Sequence, residues 1–103
     1  MADIEVREQG TRVMASPGDR IVIRIPENAT TGYQWQVEQV AVPLELESSE
    51  MVPPAEPAAP GAGGERRVIL RALGAGQARV ALRLERPWEG QPTDRFEFDV
   101  TVS

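Results

Sequence analysis

A chain of 103 residues, 41% hydrophobic, with 11 Lys+Arg against 16 Asp+Glu and a net charge of −5, describes one small acidic domain with a modest core and no room for a second. Cysteine and histidine are both absent, which removes disulfides, thiol nucleophiles, the usual general base near neutral pH, the commonest metal ligands and every Ser-His or Cys-His arrangement. All 11 basic residues are arginine; an acidic chain without a basic stripe is unsuited to nucleic acid, and no apolar run approaches the ~18 residues of a membrane span.

Residues 1–6 have neither a charged leader nor an apolar h-region, so the chain as given reads as soluble, and it fits a cytoplasmic or a mature exported location equally. Residues 4–8 form a first, weak strand candidate. A clearer one follows, where Ile21, Ile23 and Ile25 alternate with Arg20, Val22 and Arg24. After a polar turn, Trp35 and Val37 alternate with Gln34, Gln36 and Glu38. Residues 44–50 make a weaker strand, with a short helix as the alternative around residues 48–51, where the alternation is poor. Residues 51–64 are irregular, with four prolines and three glycines. Residues 67–73 resume a weak strand pattern. Val80, Leu82 and Leu84 then alternate with Arg79, Ala81, Arg83 and Glu85, and Phe96, Phe98, Val100 and Val102 with Glu97, Asp99, Thr101 and Ser103.

Breakers fall between these runs, at residues 16–19, 26–32, 53–64, 74–76 and 87–93. About seven short strands with no convincing helix predict an all-β, immunoglobulin-like sandwich of antiparallel strands, one domain over residues 1–103. With no cysteine pair between the sheets, its stability must come from inward-facing Ile, Val, Leu, Phe and Trp side chains.

Three segments carry more than a strand-turn rhythm needs. Asn28-Ala29-Thr30-Thr31-Gly32-Tyr33 places a stiff, hydrogen-bonding turn before Trp35. The second is Gly61-Ala62-Gly63-Gly64, and the third is Arg86-Pro87-Trp88, a large aromatic where a connecting loop is expected. Each has a plain reading of its own: an ordinary inter-strand turn, a long tolerated connection, and a packed loop anchor. Trp35 reads as a core residue, because it alternates with polar Gln34 and Gln36. Trp88 lies outside any alternation, and tryptophan's enrichment at interface hot spots favours a contact role.

In order and spacing, the three segments resemble the chagasin-like inhibitors of papain-type cysteine peptidases. The family pattern is Asn-Pro-Thr-Thr-Gly-aromatic-x-Trp, then Gly-x-Gly-Gly, then Arg-Pro-Trp or Arg-Pro-Phe. Ala29 departs from it, and losing the proline frees φ and restores a backbone N–H, so the loop should be less pre-set. The resemblance implies a reversible inhibitor that is no enzyme and needs no cofactor or metal, acting as a monomer on a papain-like cysteine peptidase. Asn28, Ala29, Thr30, Thr31, Gly32 and Tyr33 would enter the catalytic cleft. Gly61, Gly63 and Gly64 would lie against one wall, and Arg86, Pro87 and Trp88 against the other.

Two other classes fit the residues. An immunoglobulin-like adhesion or assembly module shares the fold and demands nothing of the three motifs. A small hydrolase would need paired carboxylates such as Glu89 and Asp94, but loop carboxylates are ordinarily solvated and no pocket-forming insertion is apparent.

Overall fold

The computed structural model describes residues 2–28, 31–53, 63–86, 88–89 and 91–103. Eight strands run through them: β1 Asp3–Val6, β2 Arg12–Ala15, β3 Arg20–Glu27, β4 Gln34–Gln39, β5 Leu44–Val52, β6 Gly64–Ala72, β7 Gly76–Glu85 and β8 Pro92–Val102. They form two four-stranded sheets, β1-β3-β6-β5 and β2-β8-β7-β4. This is the immunoglobulin-like sandwich that the alternation predicts.

The inward residues are those of the period-two pattern. Ile21, Ile23, Val68 and Leu70 of one sheet meet Val80, Leu82, Phe98 and Val100 of the other, all 1% exposed or less. Trp35 is buried among them, edge-on to Phe96 at 6.4 Å between ring centroids, and Phe96 is edge-on to Phe98 at 6.0 Å. Each such side chain contributes about 1.5–3 kcal/mol by leaving water, so the core holds the sheets together without a covalent link.

Two features differ from the sequence expectation, and one alternative left open by it is decided. The described residues form eight strands where about seven are predicted, because the N-terminal segment divides in two. Val6 is buried in the first sheet, the chain reverses through Gly10 at φ +78°, and β2 joins the other sheet. The Gly10 N–H, donated to the Glu97 carbonyl at 2.9 Å, ties that crossing to β8.

Nor are all the pairings antiparallel. β1 pairs parallel with β3, and β2 parallel with β8. Because β2 leaves for the opposite sheet, β1 finds its partner two strands on, running the same way, and β2 itself serves as the crossover that a parallel pair requires. The alternative helix around residues 48–51 is a strand: β5 carries a register shift between Leu46 and Ser48, and that bulge breaks the alternation.

The register places the loops. In one sheet Glu27 of β3 lies opposite Gly64 of β6, and Glu65 opposite Val52 of β5. In the other, Gln34 of β4 lies opposite Glu85 of β7, which lies opposite Pro92 of β8. At this end β3 leaves the first sheet after Glu27 and β4 enters the second at Gln34. The connections after β3, β5 and β7 therefore all open at one pole of the sandwich.

Candidate functional site

The first loop is built by local hydrogen bonds. The Thr31 N–H and hydroxyl both donate to the Asn28 carbonyl, at 3.2 and 2.8 Å, and the Tyr33 N–H donates back to the Thr31 hydroxyl at 3.3 Å. Gly32 closes the turn at φ +80°, a conformation that costs any other L-residue about 1–2 kcal/mol. Thr31 is exposed, while Gly32 and Tyr33 are half-buried by what packs on them. Ala29 and Thr30, also expected in this loop, lie outside the described residues.

The third loop packs directly on the first. The ring of Trp88 lies so close to Gly32 that a Cβ there would come within 2.5 Å of its Cη2 atom. Trp88 nonetheless remains 70% exposed. Arg86 ties the two loops together: its Nε donates to the Thr31 carbonyl at 3.1 Å, its guanidinium stacks 4.3 Å from the Tyr33 ring centroid, and it lies 5.9 Å from that of Trp88. Its Nη1 is paired with Glu89 at 3.0 Å. A planar cation with five donors can meet a carbonyl, a carboxylate and two aromatic rings at once, and lysine cannot. Pro87 is outside the described residues.

Of the second motif, Gly63 adjoins the first loop. A Cβ on Gly63 would sit 3.8 Å from the Asn28 Cβ. Gly64 is not at a loop tip: it is the first residue of β6, and a Cβ there would run into the Val52 carbonyl and the Met51 methyl. Its lack of a side chain is required by the β5–β6 pairing itself. Gly61 falls outside the described residues. Between the first two loops lies a groove of about 280 Å³, bordered by Pro26, Asn28, Thr31, Tyr33, Gly63 and Leu84 among others.

Beneath the loops is a feature that the motif reading misses. Glu27 is 4% exposed, and it grips Arg66 through two bonds, Nε to Oε1 at 3.1 Å and Nη2 to Oε2 at 2.7 Å. The same Oε1 accepts the Trp35 N–H at 2.6 Å, and the Trp35 indole N–H donates to the Pro26 carbonyl at 3.0 Å. A signal for it exists in the sequence. Continuing the inward register Ile21, Ile23, Ile25 by two lands on Glu27, a carboxylate aimed at the core.

The carboxylates considered for hydrolysis form no such site. Glu89 is exposed and engaged by Arg86, and Asp94 is exposed and accepts the Arg95 N–H at 2.8 Å. Among the described residues no group of three or more acidic side chains is placed to hold a metal ion.

Comparison with known proteins agrees with this geometry. The chagasin family of peptidase inhibitors, I42, matches over residues 14–102. Chagasin of Trypanosoma cruzi is 30% identical over 95 residues, spanning 88% of this chain and 86% of its own. The cysteine protease inhibitor EhICP2 of Entamoeba histolytica has a similar structure, with a TM-score of 0.82 at 25% identity over 100% of this chain and 97% of that one. Amebosin gives 0.80 at 25% identity, over 97% of each chain. PbICP-C, solved in complex with falcipain-2, shares the fold at a TM-score of 0.64 and 18% identity, over 97% of this chain and 99% of its own. A family whose members are inhibitors and not enzymes thus accounts for a chain without a catalytic inventory, and with a match running from β2 to the end of β8, this chain belongs to the chagasin family of peptidase inhibitors.

Proposed function

We propose that this protein is a reversible, tight-binding inhibitor of papain-like cysteine peptidases, acting as a monomer and without a cofactor. The three loops at one pole occlude the active-site cleft. Residues 28–33 enter it, with Thr30, Thr31 and Gly32 nearest the enzyme's cysteine, residues 61–64 lie along one wall, and Arg86, Pro87 and Trp88 brace the other.

The observation that carries this reading is the convergence of the described parts of all three motifs. Trp88 rests on Gly32, Arg86 holds the Thr31 carbonyl, and Gly63 adjoins Asn28. A preassembled wedge loses little conformational entropy on docking, so more of the contact energy appears as affinity. A standard interface of about 1,600 Å² with a good aromatic anchor reaches nanomolar dissociation constants, about −12 kcal/mol.

An inhibitor must also survive the enzyme it fills. Cleavage before Gly32 would require the Thr31 carbonyl to turn toward the enzyme's oxyanion donors while its carbon meets the thiolate. That oxygen is already committed to Arg86 at 3.1 Å. Holding it there keeps the peptide off the reactive geometry, so the loop occupies the cleft without being cut.

Titrating papain with the purified protein against a fluorogenic peptide substrate tests the proposal. Activity should fall stoichiometrically at nanomolar enzyme. Full activity at micromolar excess, over a panel of papain-like peptidases, would leave the adhesion or assembly module as the better account.

A further inference from the structure

The buried ion pair beneath the loops has more structure than core stability explains. Along the inner face of the first sheet, Ile21 faces Leu70, Ile23 faces Val68 and Ile25 faces Arg66, and Glu27 faces Gly64 at the last step. The apolar core therefore ends in a charged layer directly below the three loops. Glu27 and Arg66 belong to one sheet, whereas Trp35, whose N–H the same carboxylate accepts, belongs to the other. The Glu27 side chain is 1% exposed and that of Arg66 14%.

A buried pair of this kind is weak as a stabiliser, because taking both charges out of water offsets most of their attraction, and apolar replacements of similar volume are often neutral or better. What an apolar pair cannot do is fix positions by directed bonds. Glu27 and Trp35 are the two roots of the first loop, and Arg66 stands two residues after Gly64, at the root of the second. One carboxylate thus sets the mouth of the first loop and its spacing from the second.

We infer that Glu27 and Arg66 are positioning residues for inhibition: their buried ion pair, bridging the sheets to the Trp35 amide, holds the first and second loops in the register that fits a peptidase cleft. For its inhibition readout this rests on the peptidase-inhibitor reading; for its geometry it rests only on the free protein. Loops that lose the strap should explore a wider range of separations and regain only part of them on binding.

The test replaces both partners at once, Glu27→Met with Arg66→Met, so that no unpaired charge is left behind. The double variant still deprives the Trp35 N–H of its acceptor, so it is expected to melt cooperatively several degrees below the parent, yet to inhibit papain at least about tenfold more weakly at a temperature where it is fully folded. Amide hydrogen exchange at Thr31, Tyr33 and Gly63 should quicken about tenfold or more while Ile23, Val68 and Leu82 keep their protection. A folded double variant with unchanged inhibition and unchanged loop exchange would overturn the inference. Should the parent itself fail to inhibit any papain-like enzyme, the proposed function falls, and loop exchange by itself decides the positioning role. If the double variant does not fold, Arg66→Lys keeps the charge but loses the two-pronged fork; quickened exchange at Tyr33 and Gly63 supports the strap, and unchanged exchange refutes it.

Discussion

Trp88 and Arg86 divide the work of the third motif. An indole 70% exposed is costly to leave in water, and here the outer edge of its six-membered ring abuts Gly32 while the Arg86 guanidinium lies 5.9 Å from the ring centroid. The rest of it is available to a partner. Trp88→Ala should therefore weaken papain inhibition by about 2 kcal/mol, roughly thirtyfold, with an unchanged melting temperature; an unaltered inhibition constant would take Trp88 out of the contact. Arg86 acts inward. In an Arg86→Gln variant the Thr31 carbonyl loses its cation and the Tyr33 ring its stacking partner, so the loop should be slowly cut between Thr31 and Gly32. Mass spectrometry of the protein after prolonged incubation with peptidase would reveal the nick, and an intact chain would show that the loop is protected by other means. The motif residues are legible through their order and spacing along the chain, since Asn, Thr and Gly taken singly are ordinary turn residues and only Trp88 stands out by type. Their contacts are not, since the stacking of residue 86 on residue 33 spans the chain and leaves no local pattern.

At the scale of the element, inward alternation identified β3, β4, β7 and β8 because each has one dry face and one wet one. β5 was harder, since its bulge between Leu46 and Ser48 shifts the pattern by one. β2 went unseen: four residues, Arg12–Ala15, alternate too briefly to stand out beside the adjacent turn. The sequence places Gly64 in the connection with Gly61 and Gly63, whereas its close approach to Val52 and Met51 makes it the foot of β6. Gly64→Ala should push β5 and β6 apart at the loop end and cost about 1–3 kcal/mol of stability, seen as a lowered urea midpoint. Glu27→Ala should cost more, about 3 kcal/mol or above, because it strands the Arg66 guanidinium and the Trp35 N–H together. A urea midpoint equal to the parent's would mean that water replaces the carboxylate without loss.

For the whole molecule, the pole opposite the loops is tied by a second carboxylate. Asp19, between β2 and β3, accepts the Ser16 and Ala2 N–H groups, both at 2.9 Å. Those bonds, that from Ser16 first, hold its carboxyl below the ordinary value of 3.8. Its pKa is thus lower folded than unfolded, so the stability it contributes is complete above the unfolded value and is lost as pH falls through the folded one. Glu65 and Glu5 are lowered too, chiefly by bonds from Arg24 and Arg7 respectively, and act in the same direction. The melting temperature should accordingly hold steady near neutrality and drop below about pH 4, with a shallower drop in Asp19→Asn; identical acid slopes in the two proteins would remove Asp19 from that role. From its residues alone, this chain was already committed to an all-β sandwich with three motif-bearing reversals, because alternation and turn chemistry are local and survive in one dimension. Which strands run parallel, that Gly32 carries Trp88, and that Glu27 meets Arg66 and Trp35 across two sheets were settled only in three dimensions, because a partner's identity and direction depend on how distant segments cross and no periodicity within either segment encodes it.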